Sequence, residues 1–134
     1  MTLKYQNEIQ NLNCDLSNFQ EIERNSFRWT FESIEDSRNF EPVLISAPNR
    51  IEQIGCLGFA LSFFVTKEAG IKRHNNLTLD KPKLFKKLGS HIASGDLTKS
   101  DGIANEPDEY KHFDFFTYEN VDLSNKFTVL ESII

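Results

Sequence analysis

Two segments of the chain alternate aromatic and polar residues in the way that a half-buried β-strand does. The first is Phe27-Arg-Trp-Thr-Phe-Glu32, and the second is His112-Phe-Asp-Phe-Phe-Thr-Tyr118. Side chains on a strand point alternately to its two faces, so each pattern predicts one covered face and one polar face. The chain must therefore form a sheet and supply elements that cover it.

Several other segments carry the spacing or the end signals of secondary structure. Apolar residues repeat at helical spacing over residues 9–19 and 123–134, which predicts an amphipathic helix in each. Asp80 and Pro82 suit the first turn of a further helix, and Gly95 suits its end. A short buried strand is predicted over residues 42–45.

The longest uncharged stretch, residues 53–66, leaves two structures open. A capping box at Asn49–Glu52 and a C-capping Gly70 favour a helix over residues 50–69. The alternation of large and small residues over 59–65 fits a strand instead. We favour the helix because its caps and its length agree. At 14 residues the stretch is shorter than the roughly 20 that a membrane-spanning helix needs.

Together these elements predict an α+β fold. We expect a small, mostly antiparallel sheet of three to four strands, with three to four helices packed on one face. The 134 residues suffice for one core and not for two, so residues 1–134 are predicted to form a single globular domain. Twelve Phe and one Trp argue against a disordered chain.

The chain has two cysteines, Cys14 and Cys56, without the spacing of a disulfide framework or a zinc site. We predict two reduced thiols in a cytoplasmic protein. The first residues lack the basic start and the apolar run of a signal peptide, which favours the same compartment.

Charges are sorted along the chain. Residues 67–99 carry eight Lys or Arg against three Asp or Glu, whereas residues 101–134 carry two against eight, and the whole chain has a net charge of −5. Segregated charge is a property of recognition rather than of fold. We predict a basic partner-binding patch, and a solvated helix face explains the same residues. The patch comprises Lys72, Arg73, Lys83, Lys86 and Lys87.

A second predicted patch combines acidic and aromatic residues at the second strand. Phe116 and Tyr118 fall on the face opposite Phe113 and Phe115, and aromatic residues are frequent at interface hot spots. The alternative is that another helix covers this face. The predicted acidic and aromatic patch comprises Asp108, Glu109, His112, Phe116 and Tyr118.

No motif for nucleophilic catalysis or for phosphate binding is present, and Cys56 lies in an apolar segment where a thiol is unreactive. Carboxylates and an imidazole in the loop over residues 101–114 leave one enzymatic alternative, a small metal-dependent hydrolase or nuclease. Its spacing does not fit a calcium loop. The residues of this alternative are Asp101, Asp108, Glu109, Lys111 and His112.

The function that we predict is a non-catalytic, intracellular protein-binding module, such as an immunity or antitoxin-like protein or an adaptor in a bacterial regulatory system. Opposite local charges would steer it to a protein partner. The net charge of −5 and the lack of aromatic residues among the lysines argue against nucleic acid. We predict no cofactor, no metal and no membrane partner, and leave a homo-oligomer open.

Overall fold

The computed structural model describes all 134 residues, and its central feature is one antiparallel sheet of six strands. The strands lie side by side in the order β4-β5-β2-β1-β3-β6, and each neighbouring pair is antiparallel. The strands are β1 (Arg24–Thr30), β2 (Leu61–Phe64), β3 (His91–Leu97), β4 (Gly102–Ala104), β5 (His112–Thr117) and β6 (Phe127–Ser132).

Five short helices accompany the sheet. The longest has twelve residues, and the Thr66 hydroxyl caps its start by accepting the Ala69 N–H at 3.1 Å. The class is α+β, but the predicted three to four strands and three to four helices are wrong, because the sheet has six strands and five helices accompany it. The helices are α1 (Gln6–Asn11), α2 (Val43–Ser46), α3 (Ile51–Ile54), α4 (Lys67–Thr78) and α5 (Phe85–Leu88).

Helix α4 covers one face of the sheet, over β1, β2 and β3. Trp29 of β1 donates its indole N–H to the carbonyl of Gly70 at 2.9 Å. Gly70 lies so close to the sheet that a Cβ atom there would stand 2.9 Å from Cδ1 of Ile92. The alternating pattern of β1 therefore places Trp29 on this face. The other face of β1 is not open to solvent as the pattern predicted, because Ser26 and Thr30 are buried there.

The opposite face carries the larger apolar cluster. Phe63 of β2 packs against Phe113 of β5 and Phe127 of β6, with ring centroids 5.8 Å and 5.5 Å apart. Arg28 of β1 shares this face and donates to the carbonyls of Asn39 and Ser62. Burial lowers the pKa of Arg28 to about 10, so the guanidinium remains charged at neutral pH. Backbone carbonyls thus take the place of a carboxylate partner.

A second apolar cluster is built by the N-terminal segment. Leu3 and Ile9 pack with Phe116 and Tyr118, which are all buried. Cys14 and Cys56 form a disulfide that joins this segment to the chain before β2. The prediction of two reduced thiols is therefore wrong. Because disulfides persist mainly in oxidising compartments, the bond also removes the cysteine argument for a cytoplasmic location.

Two predicted helices are strands in the structure. The uncharged stretch forms short helical turns over residues 51–59 and then β2, so the strand alternative is right and the long helix is wrong. Residues 127–132 form β6 instead of a terminal helix. In both cases the apolar residues gain a sheet neighbour, and burial against that neighbour outweighs helix propensity.

The predicted helix over residues 80–95 ends early. Gly89 has a φ of +115°, which ends α5 at Leu88, and the chain then enters β3. Residues 43–46 form α2 rather than a strand. The strands predicted around Trp29 and Phe113 are confirmed as β1 and β5.

Candidate functional site

The strongest candidate site is a group of lysines on the segment between α4 and β3. Four lysines line one open depression of about 470 Å³, together with Pro82 and Leu84. All four side chains are exposed, and none of them forms an ion pair or a side-chain hydrogen bond. We call this group the lysine cluster; its members are Lys81, Lys83, Lys86 and Lys87.

The segment that carries the lysine cluster is fixed at its end by a buried histidine. His74 of α4 is 1% exposed, and its Nε2 lies 2.8 Å from the carbonyl of Gly89. A carbonyl can only accept, so Nε2 donates the hydrogen bond, while Nδ1 is buried without a partner. The imidazole edge also meets the ring of Trp29 at 5.3 Å. The sheet, α4 and the lysine segment are thereby joined.

The two other residues of the predicted basic patch lie apart from the lysine cluster. Lys72 is exposed on α4 and does not line the depression. The guanidinium of Arg73 lies over the ring of Tyr110, with the carbon Cζ 4.2 Å from the ring centroid. The structure thus brings together Lys83, Lys86 and Lys87 of the predicted patch and does not add Lys72 or Arg73.

The acidic side of the predicted second patch is organised around Asp108. Its carboxylate accepts the backbone N–H of Tyr110 at 2.8 Å and of His112 at 3.0 Å. Burial raises the pKa of Asp108, but these hydrogen bonds and the nearby imidazole outweigh it, so the net pKa is lowered. The His112 ring stands 3.4 Å from Asp108 and 3.8 Å from Asp114. Asp108 therefore stabilises a tight turn, and this structural role accounts for its position without a binding function. Glu109 is exposed beside it.

The aromatic side of that patch is inside the protein. Phe116 is 1% exposed and Tyr118 is 6% exposed, because the N-terminal segment covers them. Tyr118 donates its hydroxyl to Glu21 at 2.7 Å. Burial and then this carboxylate raise the pKa of Tyr118 to about 12. The N-terminal segment thus covers this face, in agreement with the alternative that another part of the chain lies on it.

Of the residues of the hydrolase alternative, Asp108 and His112 lie side by side, whereas Asp101 has other partners. Asp101 is 4% exposed and engages Lys126 and Thr98. Asp114 accepts from the side chain of Asn105 at 3.1 Å. No group of three or more His, Cys, Asp or Glu side chains in the chain is placed to hold a metal ion. The hydrolase alternative stays a prediction from the sequence without an assembled site.

A small cavity lies beneath the N-terminal segment. It has a volume of about 50 Å³ and is lined mainly by hydrophobic residues such as Ile9, Phe59 and Phe116. A cavity of this size accommodates a few water molecules and not an ordinary substrate. The lysine cluster therefore has the larger concave surface of the two.

Lys81 is not among the residues of the predicted basic patch. In the structure a turn over residues 82–84 and the short helix α5 together gather all four lysines around one depression. The density of lysines from Lys81 to Lys87 was the available signal. The contact of His74 with the Gly89 carbonyl, which ties the end of this segment to α4, has no local sequence signature.

Comparisons with known proteins do not identify the chain. No family model matches it, and neither a curated protein nor a solved structure gives a match. None of the helices is both long enough and apolar enough to cross a membrane.

Proposed function

We propose that this chain is a non-catalytic module that binds an acidic surface of another protein through the lysine cluster. One observation carries the proposal: four exposed lysines surround one depression, and none of them has an acidic partner within the chain. Surface lysines that only keep a protein soluble do not need a shared concave surface.

The chemistry of the depression favours carboxylates on a protein over nucleic acid. Its wall is almost wholly apolar, formed by the carbon chains of the lysines with Pro82 and Leu84, and it contains no aromatic ring on which a base could stack. The net charge of −5 repels a long polyanion, whereas a compact acidic patch is attracted by the local field of the cluster. The same field speeds encounter with such a patch and orients it.

Charge reversal at one lysine tests the proposal. The probe is a fluorescent peptide rich in Glu and Asp, about 12 residues long, measured by anisotropy at low salt. We expect Lys86→Glu to lower its affinity about fivefold to tenfold, equivalent to about 1–1.4 kcal/mol. Raising the salt concentration from about 50 to about 300 mM should weaken binding of the peptide to the unmodified protein, because added ions shorten the range of electrostatic attraction.

Lys72→Glu is the matched control. Lys72 is equally an exposed lysine on this part of the chain but lies outside the depression, and its reversal changes the net charge by the same amount. We expect it to change the affinity less than about twofold. Equal losses in the two variants, no binding by the unmodified protein, or tighter binding of a DNA duplex than of the peptide would each contradict the proposal.

A further inference from the structure

The two edges of the sheet differ in how their backbone groups are used. At the β4 edge, Gln20 and Ala104 exchange both backbone hydrogen bonds, each at 2.9 Å. Strand β4 is also only three residues long. This edge is therefore short and partly covered by the chain itself, which is how natural sheets avoid unwanted pairing.

The β6 edge has no such cover. On its inner side β6 pairs with β3, and Ile133 adds one bond from its N–H to the carbonyl of Ser90 at 2.9 Å. No backbone hydrogen bond joins residues 128–134 to any other segment. The N–H and C=O groups on the outer side of β6 are therefore free to pair with another strand.

The side chains of this edge suit pairing with a strand. Residues 127–134 read Phe-Thr-Val-Leu-Glu-Ser-Ile-Ile, which is rich in strand-forming residues and contains neither lysine nor proline. Leu130 is 47% exposed and Ile134 is 67% exposed. The one charge, Glu131, is paired with Lys67 at 2.8 Å. The only protective device is a bulge, since Leu130 has no partner in the register with β3.

We propose that β6 pairs antiparallel with β6 of a second copy of this chain about a two-fold axis, so that the two sheets become continuous. A two-fold axis places an edge against itself in the antiparallel sense, and the contact then closes with two copies. Glu131, the one charged residue of β6, is already paired with Lys67, so the strand presents no unpaired side-chain charge to a second copy. A partner of different sequence would need its own free strand, whereas a second copy always supplies one.

The proposed dimer is independent of the lysine cluster and responds to salt in the opposite sense. Each copy has a net charge of −5, so the copies repel one another at low salt. We expect salt to strengthen the dimer, while it weakens binding of an acidic partner. Two six-residue strands form a small contact, so the dimer should be reversible at concentrations of about 10 µM to about 1 mM.

Light scattering across that range, with a matched pair of variants, tests the dimer. Leu130→Lys places a charge on the β6 edge, whereas Leu57→Lys places one at a site with the same 47% exposure outside the edge. We expect the mass of the unmodified protein and of Leu57→Lys to rise toward twice the monomer value with concentration. Leu130→Lys should remain monomeric.

Hydrogen exchange on the unmodified protein gives a reading that needs no variant. Amides of residues 128–132 should become more protected as the concentration rises, while those of β4 should not change. A protein that stays monomeric at the highest concentration overturns the proposal. A dimer whose β6 amides show no added protection, or one that Leu130→Lys leaves intact, overturns it equally, because the interface would then lie elsewhere.

Discussion

At the scale of single residues, Gly89 and His74 decide how the lysine cluster is presented. Gly89 has a φ of +115°, and its carbonyl accepts from His74. A Cβ atom at Gly89 would stand 2.7 Å from the carbonyl oxygen of Thr30. The chain can therefore leave α5 and enter β3 at this point only with glycine, because any side chain would collide with the neighbouring strand.

The collision at Gly89 can be separated from its backbone strain by comparison with Gly55. Gly55 also has a positive φ, +72°, but nothing lies within 4 Å of a Cβ atom there. We expect Gly55→Ala to lower the free energy of unfolding by about 1–2 kcal/mol and Gly89→Ala by about 2–4 kcal/mol. Urea unfolding measures both. Equal losses of unfolding free energy in the two variants would show that the Thr30 carbonyl does not restrict the residue at position 89.

Tyr118 should make the stability fall at alkaline pH. Burial and the Glu21 carboxylate raise its pKa from 10.0 to about 12 in the folded protein. Below pH 10 both states keep the phenolic proton; between pH 10 and 12 the unfolded chain loses it first, so the folded state is progressively destabilised.

The variant Tyr118→Phe isolates this contribution, because it keeps the ring and removes the titrating hydroxyl. We expect the difference in unfolding free energy between the two proteins to shift in favour of the variant as the pH rises from about 9 to about 11, measured by urea unfolding at each pH. A difference that stays constant across this range would mean that Tyr118 has an ordinary pKa.

At the scale of elements, the N-terminal segment acts as a cover for β5. Helix α1 and the residues after it pack on Phe116 and Tyr118, and the Cys14–Cys56 disulfide holds them to the chain before β2. Helix α1 has only six residues, too few to be stable alone. Its position therefore depends on burial against β5 and on the covalent bond.

Removing the disulfide should destabilise the fold without changing its strands. The two cysteines are 42 residues apart in sequence, so their bond restricts the unfolded chain considerably. We expect Cys14→Ser to lower the free energy of unfolding by about 2–4 kcal/mol. Urea unfolding with and without dithiothreitol measures this loss.

The control is the double variant Cys14→Ser/Cys56→Ser, which should match the reduced unmodified protein. A Cys14→Ser protein as stable as the oxidised unmodified protein would show that packing alone holds the segment.

A strand can be predicted from this sequence where polar side chains alternate with aromatic ones along it. Strands β1 and β5 were found from the sequence because their alternation is visible in the residues themselves. For strand β2 the capping signals and the length of the uncharged stretch favour a helix, and an apolar run of this kind does not by itself distinguish the two structures. Strand β6 was missed because its apolar spacing also fits a helix, and only pairing with β3 decides between them.

At the scale of the whole molecule, folding does not cancel the sorted charges. Within residues 67–99 only Lys67 forms an ion pair, with Glu131, and the Asp101–Lys126 pair lies within the acidic C-terminal third. Arg73 meets the other segment through the Tyr110 ring rather than through a carboxylate. The basic lysine cluster and the acidic remainder of the surface are therefore both available to partners, which supports the proposed recognition.

The sequence by itself determined the charge segregation, two strands and the general α+β class, because these follow from local composition and alternation. The tertiary structure decided the number of strands, the disulfide, the burial of Phe116 and Tyr118, and the convergence of Lys81 with Lys83, Lys86 and Lys87. Each of these depends on which distant segments meet. Contacts between residues far apart in the chain are selected by burial of the whole core, and no short stretch of sequence encodes that choice.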